Sequence, residues 1–239
     1  MIDIKPYHSS GSKKKQIMQM FDNIAKSYDT LNQSMSFGMH HIWRKKAIKK
    51  LNKNTKDILD IATGTGDFAI TAAKYTNAQI TGIDISKGML KIAENKIHNK
   101  NLKERISLTL ADSENLPFDD NQFDAITAGF GVRNFEDREK GLKEIYRVLK
   151  KEGMLIILEP STPKYFPLKQ MYNLYFNHIT PFIGGIISKD KRAYSYLPES
   201  VEAFPTSKEF IMQLAEIGFT NSQYTSLTFG SVALYTAIK

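Results

Sequence analysis

Two glycines and two acids stand where a nucleotide-type ligand could bind. Gly64 and Gly66 follow an apolar run that includes Asp60, and Asp84 closes a second apolar run. Glycine lets the backbone turn tightly and approach a ligand where a Cβ would collide. Asp84 is placed to accept hydrogen bonds from ribose hydroxyls. Because open α/β sheets bind ligands outside the carboxyl ends of their strands, the four residues predict a binding site at that edge.

The chemistry of this ligand is narrowed by the residues that follow the glycines. A dinucleotide site requires a third small residue three positions after Gly66 and a helix N-terminus that is open to a pyrophosphate. Ala69 meets the first need, but Asp67 stands where a diphosphate would be repelled. A cofactor with a ribose and no phosphate fits better, and we expect S-adenosylmethionine. The structural alternative is a tight strand-to-helix turn that binds no ligand. The acidic residues at the strand ends disfavour this alternative.

Asp112 and Ser113 end a third predicted strand on the same edge. An acid there can accept a hydrogen bond from an adenine amino group, while the neighbouring backbone N–H meets a ring nitrogen. The alternative is that Asp112 caps a turn or a helix, as short acidic side chains often do. Beside an Asp84 pocket, the adenine contact is the better interpretation.

The segment after the fourth predicted strand is where a transferred group should lie. Gly129 opens a Gly-Phe-Gly turn that keeps the backbone thin beside a ligand, and Arg133 and Asn134 place polar groups at the mouth. The structural alternative is that Arg133 only forms an ion pair with Glu136 or Asp137, an interaction of little energetic value at a surface.

The elements that position these residues alternate short apolar strands with helices, the pattern of a doubly wound α/β sheet. We predict strands at 57–62, 79–84, 106–111, 123–128, 153–158, 219–226 and 231–238, the last two as an antiparallel pair. We predict helices at 13–28, 41–51, 67–75, 87–99, 136–150 and 207–217. Ser86 is a good N-cap and Gly218 a good C-terminal stop. Residues 160–205, rich in proline and aromatic residues, interrupt the alternation and predict an inserted lid.

Composition limits the class of protein further. A chain of 239 residues suits one large α/β domain with insertions, here a helical cap at 1–50 and a main domain at 51–239. The absence of cysteine excludes disulfides, thiolate metal sites and a cysteine nucleophile. The histidines have no metal-ligand spacing, so we expect no metal. No run approaches the roughly 18 apolar residues that span a bilayer, and the start lacks an apolar secretory segment. We expect a cytoplasmic protein.

The net charge of +8 is unevenly distributed. Residues 1–56 hold 12 Lys and Arg against three acids, a net charge of +9, which leaves −1 for the rest of the chain. A basic region on a neutral body predicts an anionic neighbour, either membrane headgroups or nucleic acid. The alternative is a solvated helix face with a basic tail.

Two long segments resemble the signatures of a known family. Residues 28–43, Tyr-Asp-Thr-Leu-Asn-Gln-Ser-Met-Ser-Phe-Gly-Met-His-His-Ile-Trp, are similar to the first signature of the quinone-biosynthesis C-methyltransferases, and residues 147–161 are similar to the second. This resemblance covers nearly the whole chain. It implies a Rossmann-like class I S-adenosylmethionine-dependent methyltransferase fold: a mostly parallel seven-stranded sheet with an antiparallel last strand, a helical cap and a lid. It also implies cofactor contacts at Thr63, Asp84, Asp112 and Ser113.

The resemblance further implies an activity and a substrate site. The expected reaction is C-methylation of a polyprenylated quinol, 2-demethylmenaquinol to menaquinol, with a ubiquinone-pathway benzoquinol or another apolar phenol or sterol as alternatives. His40 and Trp43 belong to the cap over the site, and we expect Tyr165 and Tyr194 of the lid to line a prenyl groove. Arg133 would stabilise the phenolate or polarise a water molecule, and Asn134 would orient it.

A nucleic-acid methyltransferase is the alternative from another class, and two features of the sequence disfavour it. The mechanism that methylates pyrimidine C5 needs a cysteine nucleophile, which this chain lacks. The fourth predicted strand ends in Gly-Phe-Gly rather than in the Asn/Asp-Pro-Pro-aromatic turn used on exocyclic amines. We therefore expect no nucleic-acid partner.

Overall fold

A seven-stranded sheet forms the centre of the protein. The computed structural model describes residues 4–7, 10–176, 180 and 190–239, without the side chains of residues 191 and 194. The strands are β1 (Asp57–Ile61), β2 (Gln79–Asp84), β3 (Ile106–Leu110), β4 (Phe123–Gly129), β5 (Leu149–Pro160), β6 (Thr220–Leu227) and β7 (Val232–Ile238). Their order is β3-β2-β1-β4-β5-β7-β6. Only β7 runs antiparallel to its neighbours, β5 and β6. The predicted fold class is confirmed.

The register of the central strands brings their polar ends together. Ile61 pairs with Ile83 of β2 on one side and with Ala128 of β4 on the other. The three strands therefore end at nearly the same level. Their apolar residues are buried on both faces of the sheet, as expected for parallel strands covered by helices.

Helices cover both faces and the carboxyl edge of this sheet. They are α1 (Lys13–Ser36), α2 (Met39–Ile48), α3 (Asp67–Tyr75), α4 (Lys87–Asn99), α5 (Arg138–Val148), α6 (Leu168–Leu174), α7 (Lys191–Glu202) and α8 (Ser207–Ile217). The predicted caps are confirmed: the Ser86 side chain accepts from the Met89 N–H, and Gly218 ends α8 with a φ of 119°. None of the described helices is long and apolar enough to cross a bilayer.

The first predicted helix is too short. We expected it to end near residue 28, but α1 continues to Ser36 because Leu31, which is fully buried, and the partly buried Met35 extend its apolar face. It stops where Phe37 and Gly38 adopt left-handed conformations, with φ of 48° and 75°. The helix α2 then begins at Met39, two residues before the predicted start.

The boundary between α5 and β5 also differs from prediction. We placed a helix over 136–150 and a strand from 153, but α5 ends at Val148 and β5 begins at Leu149. Leu149 pairs with Phe123, and the register shifts before Met154 pairs with Ala125. The four polar or small residues between them form a bulge, in which Glu152 has a φ of 62°. An irregular stretch of this kind hides the start of a strand from a sequence pattern.

The cap and the lid enclose the carboxyl edge. The inner face of α1 presents Ile17, Met20 and Ile24 to Met89 of α4 and Tyr196 of α7 in one buried apolar cluster. The predicted lid, 160–205, contains α6 and α7, and its residues 177–179 and 181–189 lie outside the described part of the chain.

Candidate active site

Two cavities lie between the carboxyl edge of the sheet and the elements that cover it. The first, the strand-end cavity, has a volume of about 640 Å³ including the open space at its mouth. It lies beneath α1 at the ends of β1, β2 and β4. Its wall includes Lys14, Ile17, Phe21, Tyr28, Gly64, Asp84, Asp112, Ser113, Glu114, Gly129, Phe130, Asn134 and Glu136.

The turn after β1 is fixed by Asp84. Its two carboxylate oxygens accept from the backbone N–H of Gly64 and of Ser86, each at 2.8 Å. Burial raises the pKa of Asp84 to about 6, although these hydrogen bonds stabilise its charged form. Gly64 has a φ of 56°, and a Cβ there would have only the Ala62 carbonyl oxygen, at 4.0 Å, within reach. A bare backbone thus faces free space beside a buried carboxylate.

Three predicted cofactor residues lie behind this turn and not on the cavity wall. The fully buried Asp60 accepts from the hydroxyls of Thr63 and Thr127, each at 2.6 Å. Burial raises the pKa of Asp60 to about 6. Gly66 has a φ of 81°, and a Cβ there would approach Ala93 to 3.2 Å. Asp60, Thr63 and Gly66 therefore shape the turn, while Gly64 and Asp84 line the cavity.

Asp112 has a protein partner on each carboxylate oxygen. One oxygen accepts from the Glu114 N–H at 2.9 Å, which is the turn interaction that the alternative interpretation predicted, and the other lies 2.6 Å from Lys14 Nζ. Glu114 is also within 2.8 Å of Lys14 Nζ. Asp112 and Ser113 line the cavity as predicted. The sequence patterns did not identify Lys14 or Glu114 as residues of this site.

Asp67 does not repel a diphosphate from the strand-end cavity as predicted. Its carboxylate pairs with Lys96 of α4 and, at 3.3 Å, with Arg44 of α2, and it does not line the strand-end cavity. Burial alone would raise the pKa of Asp67, but the combined effect of the two cations is larger and of opposite sign. The pKa of Asp67 therefore lies below its ordinary value. The cavity wall has its own negative charge, from four carboxylates against a single lysine: Asp84, Asp112, Glu114, Glu136 and Lys14. A diphosphate is therefore disfavoured by the carboxylates of the cavity wall and not by Asp67.

The glycines after β4 are explained by protein packing. A Cβ at Gly131 would lie 2.5 Å from that of Ala62, and one at Gly129 would lie 2.9 Å from Phe68. We expected these glycines to make room for a ligand. They allow the loop to pack against the β1 turn and α3, and both also line the strand-end cavity.

The second cavity, the lid cavity, is larger and apolar, with about 1370 Å³ including its open mouth. It lies between α1, α2, the lid and the end of β5. Most of its wall is hydrophobic or aromatic: Met20, Ile24, Met35, Phe37, Met39, Trp43, Phe130, Tyr172, Tyr175, Phe176, Tyr196 and Leu197. Phe21, Tyr28, Phe130 and Asn134 line both cavities, so the two voids meet at this shared wall.

His40 and Trp43 lie in the wall of the lid cavity, as predicted for the cap. Burial, assisted by the nearby Arg44, lowers the pKa of His40 to about 4, so its ring is neutral at neutral pH. Trp43 Nε1 donates to Thr228 Oγ1 at 2.7 Å, and its ring meets Phe130 edge to face. Tyr165 is 77% exposed and lines neither cavity, while the side chain of Tyr194 lies outside the described residues.

Arg133 has a buried partner that the sequence did not indicate. Its Nη1 donates to Glu159 Oε2 at 2.9 Å and to the Phe130 carbonyl, so the expected alternatives Glu136 and Asp137 are not its ion-pair partners. Burial raises the pKa of Glu159, and the Arg133 guanidinium opposes that rise. Asn134 accepts from the Tyr196 hydroxyl at 3.2 Å.

Three residues of the lid-cavity wall have a buried polar atom without a hydrogen-bond partner in the described ranges, and one of these atoms, Arg44 Nη1, lies 3.3 Å from the Asp67 carboxylate. The other two atoms have no ion-pair contact in these ranges either. They are Arg133 Nε and the Tyr172 hydroxyl, and both residues line the cavity. Burial raises the pKa of Tyr172, while the charge of Arg133 lowers it, so the hydroxyl stays protonated at neutral pH. Buried polar atoms are rarely left unpaired, which makes these two groups candidates for ligand contact.

Comparison with known proteins identifies the family. Residues 9–239 match the model of the ubiE/COQ5 methyltransferase family. The chain belongs to this family. A demethylmenaquinone methyltransferase of Bacteroides fragilis is 48% identical over 238 residues, covering 99% of this chain and 97% of the relative. The ubiquinone/menaquinone biosynthesis C-methyltransferase of Geotalea daltonii is 45% identical over 230 residues, covering 95% and 97%.

Membership of the ubiE/COQ5 family confirms the resemblance found in the sequence, and it makes the chain an S-adenosylmethionine-dependent methyltransferase. The fold agrees with this class. A solved S-adenosylmethionine-dependent methyltransferase from Aquifex aeolicus superposes with a TM-score of 0.65 at 17% identity, covering 91% of this chain and 97% of that one.

Proposed function

We propose that this methyltransferase transfers a methyl group to a ring carbon of a polyprenylated quinol, converting 2-demethylmenaquinol to menaquinol. The observation that carries the proposal is the wall shared by the two cavities at Phe130 and Asn134. It separates a small acidic cavity from a large apolar one, as methyl transfer between a polar cofactor and an apolar acceptor requires. Relatives that carry the demethylmenaquinone name over their full length support the choice of acceptor.

The residues of the strand-end cavity support S-adenosylmethionine as its ligand. Asp84 would accept from the ribose hydroxyls, Asp112 from the adenine amino group, and the bare backbone at Gly64 leaves room for close approach. The excess of carboxylates suits a cation better than a phosphate. When bound there, the cofactor supplies a methyl group on a cationic sulfur, and the ring proton of the acceptor is released after transfer.

The residues of the shared wall would then ionise and orient the acceptor. A phenol has a pKa near 10, so only roughly one in a thousand is ionised at neutral pH, and lowering that pKa to 7 takes about 4 kcal/mol. Arg133 cannot act as a base, because a guanidinium does not give up its proton. We propose that Arg133 Nε and the Tyr172 hydroxyl donate to the quinol oxygen, since both lack other partners among the described residues. Asn134 would position the oxygen or a water molecule beside it.

The lid cavity would hold the quinol ring and the first isoprene units. Its wall is almost entirely apolar, with His40 held neutral at its edge. Trp43 and Phe130 would pack against the ring. These features suit naphthoquinols and benzoquinols alike, so the choice between them must be measured.

Quinone extraction from cells that lack this protein tests the proposal. We expect demethylmenaquinone to accumulate and menaquinone to disappear. A plasmid with the wild-type chain should restore menaquinone, and one with Asp84→Ala should restore less of it. Unchanged menaquinone, or the accumulation of an unmethylated benzoquinone in its place, would contradict the naphthoquinol assignment.

We further propose that the enzyme works at the inner face of the cell membrane, where such a quinol is dissolved. The basic region 1–56 supports an anionic neighbour, although some of its charge is used inside the protein, at Lys14 and Arg44. The exposed lysines of and after α2 remain available: Lys45, Lys46, Lys49 and Lys50. Each basic residue near an anionic leaflet contributes about 1 kcal/mol, and salt screens the attraction.

A further inference from the structure

Four aromatic side chains are unusually exposed. Among the residues that the structure describes, Phe37, Tyr165, Phe166 and Phe229 are each between 77% and 81% accessible to solvent. Two apolar residues of α6, Met171 and Leu174, are 63% and 60% exposed. Scattered exposed apolar residues need no explanation, but a contiguous group of this size marks an interaction site.

Contacts between their elements place these residues in one region. The Phe37 ring lies 6.2 Å from that of Tyr175, which follows α6 directly. Phe229 precedes Gly230, whose carbonyl accepts from Ser161 Oγ at 2.6 Å. A Cβ at Gly230 would lie 3.2 Å from Pro163 Cα, so this turn packs close to the segment that carries Tyr165 and Phe166. We call this group the aromatic rim: Phe37, Tyr165, Phe166, Met171, Leu174 and Phe229.

The aromatic rim lies at the lid cavity. Phe37 is itself part of the cavity wall, and so is Thr228, the neighbour of Phe229. Thr228 accepts from Trp43 Nε1 at 2.7 Å, so the rim and the cap meet on this side. The exposed apolar surface is therefore continuous with an apolar cavity.

The charge around the rim selects its partner. The three segments that carry it, 32–56, 160–176 and 226–239, contain no Asp or Glu at all. They contain ten Lys or Arg, of which Lys164 and Lys169 flank Tyr165 and Phe166, whereas Lys53, Lys56 and Lys239 belong to the opposite edge of the sheet. Exposed aromatic residues combined with basic and no acidic residues are the composition of surfaces that lie in the headgroup region of an anionic bilayer.

We propose that the aromatic rim inserts into the bilayer interface and opens the lid cavity towards the lipid. A quinol with an apolar tail then enters the cavity sideways without crossing water. The docking surface follows from the exposed side chains and the charge around them, whereas its use for quinol entry rests on the proposed function. This mode differs from attraction by the basic region alone, because aromatic insertion resists salt.

Vesicle co-sedimentation of the full chain tests the proposal. The test protein carries Phe166→Ser and Phe229→Ser, which change two rim residues outside both cavity walls. The matched control carries Tyr75→Ser and Met212→Ser, two exposed apolar residues elsewhere, at 41% and 56%. We expect the wild type and the control to bind phosphatidylcholine vesicles containing phosphatidylglycerol, and to retain most binding at about 0.5 M salt. The affinity of the rim variant for these vesicles should be lower by at least about tenfold.

Equal binding of the rim variant and the wild type, or complete release of the wild type by salt, would overturn the proposal. Melting temperatures of both variants exclude unfolding as the cause of lost binding. A second measurement uses Trp43, the single tryptophan of the chain: brominated lipids should quench its fluorescence in the wild type and not in the rim variant. Turnover on a short-chain quinol in detergent should be equal in all proteins. Loss of turnover in every protein, with vesicle binding intact, would contradict the proposed function and leave the rim proposal standing.

Discussion

Asp84 is buried, lines the strand-end cavity and accepts one backbone hydrogen bond on each carboxylate oxygen. Each oxygen can accept a further hydrogen bond from a ligand. Replacing it with alanine should weaken S-adenosylmethionine binding about tenfold or more, since each charge-assisted bond to ribose contributes about 1.5–3 kcal/mol. Titration calorimetry on the purified variant measures this directly. An unchanged affinity would mean that the ribose binds elsewhere, and tight NAD binding would overturn the cofactor assignment.

The raised pKa of Asp84 gives this prediction a pH dependence. In the folded protein the carboxyl titrates near 6, against an ordinary value of 3.8, so it holds its proton to higher pH than in the unfolded chain. Its contribution to stability is therefore present at low pH and is lost as pH rises from about 4 to 6. Ribose binding needs the ionised form, so affinity should fall as pH drops from 7 to 5. Asp84→Asn should bind weakly and lose the part of this pH dependence that Asp84 causes.

We propose that activation of the acceptor depends on Arg133. Arg133→Ala should leave cofactor affinity near normal and lower kcat by about 10²-fold, as for the loss of one oxyanion-stabilising donor. Raising pH towards the phenol pKa should partly rescue it. In the alanine variant the buried Glu159 loses its ion-pair partner, and this loss by itself destabilises the fold.

A double variant, Arg133→Met with Glu159→Gln, removes both charges and serves as the second test of Arg133. It should fold, bind the cofactor and show the same loss of kcat. Normal turnover in this variant would show that Arg133 is structural.

Tyr172 was not singled out by any sequence pattern, yet it lines the lid cavity, and its buried hydroxyl has no hydrogen-bond partner within the described part of the chain. Tyr172→Phe should raise KM for the quinol several-fold and leave cofactor affinity unchanged, about the effect of one neutral hydrogen bond. Tyr175→Phe is the matched control, because that hydroxyl donates to the Met35 carbonyl at 3.1 Å. Equal effects of the two substitutions on KM would remove the special role of Tyr172.

At the scale of elements, α1 closes the strand-end cavity and Lys14 holds it in place. The ammonium bridges Asp112 and Glu114, 98 and 100 residues further along the chain. Lys14→Met should increase the dissociation rate of S-adenosylhomocysteine several-fold, because α1 then opens more easily. Stopped-flow displacement gives the rate, and amide exchange over residues 13–21 should increase with it. Substitution of the exposed Lys15, Lys15→Met, is the matched control. Equal dissociation rates in the two variants would show that the ion pairs of Lys14 do not hold α1 over the cavity.

The elements that could be predicted from sequence are those with local signals. The apolar runs of β1, β2 and β4, the cap at Ser86 and the stop at Gly218 depend on residues next to one another. The cavity-lining role of Gly64, Asp84 and Asp112 followed from strand ends that must share one edge.

The features that could not be predicted join distant parts of the chain. Glu159 pairs with Arg133 from the next strand, Lys14 reaches Asp112 across the cavity, and Asp67 is neutralised from α2 and α4. No periodicity encodes such partners, because side-chain pairing across elements depends on the final packing. The end of α1 is a different case, because Leu31 and Met35 continue the apolar spacing of the helix beyond the predicted end at residue 28.

At the scale of the whole molecule, the fold sets an acidic cavity and an apolar cavity back to back, with Phe130 and Asn134 between them. The sheet, α3 and α4 supply the first cavity, and the cap and lid complete the second. The basic and aromatic surfaces lie on the cap and lid side, so the proposed route from lipid to cofactor runs in one direction through the molecule.

The proposed function requires that the methyl group is transferred to a ring carbon. Purified enzyme, S-adenosylmethionine with a deuterated methyl group and reduced 2-demethylmenaquinone should be incubated together, and the product analysed by mass spectrometry and NMR. The proposed function predicts a ring-bound deuterated methyl group, the loss of one aryl proton, and a much slower reaction of the Asp84→Ala variant at limiting S-adenosylmethionine. A methoxy product, or no transfer to this quinol by the wild-type enzyme, would contradict it.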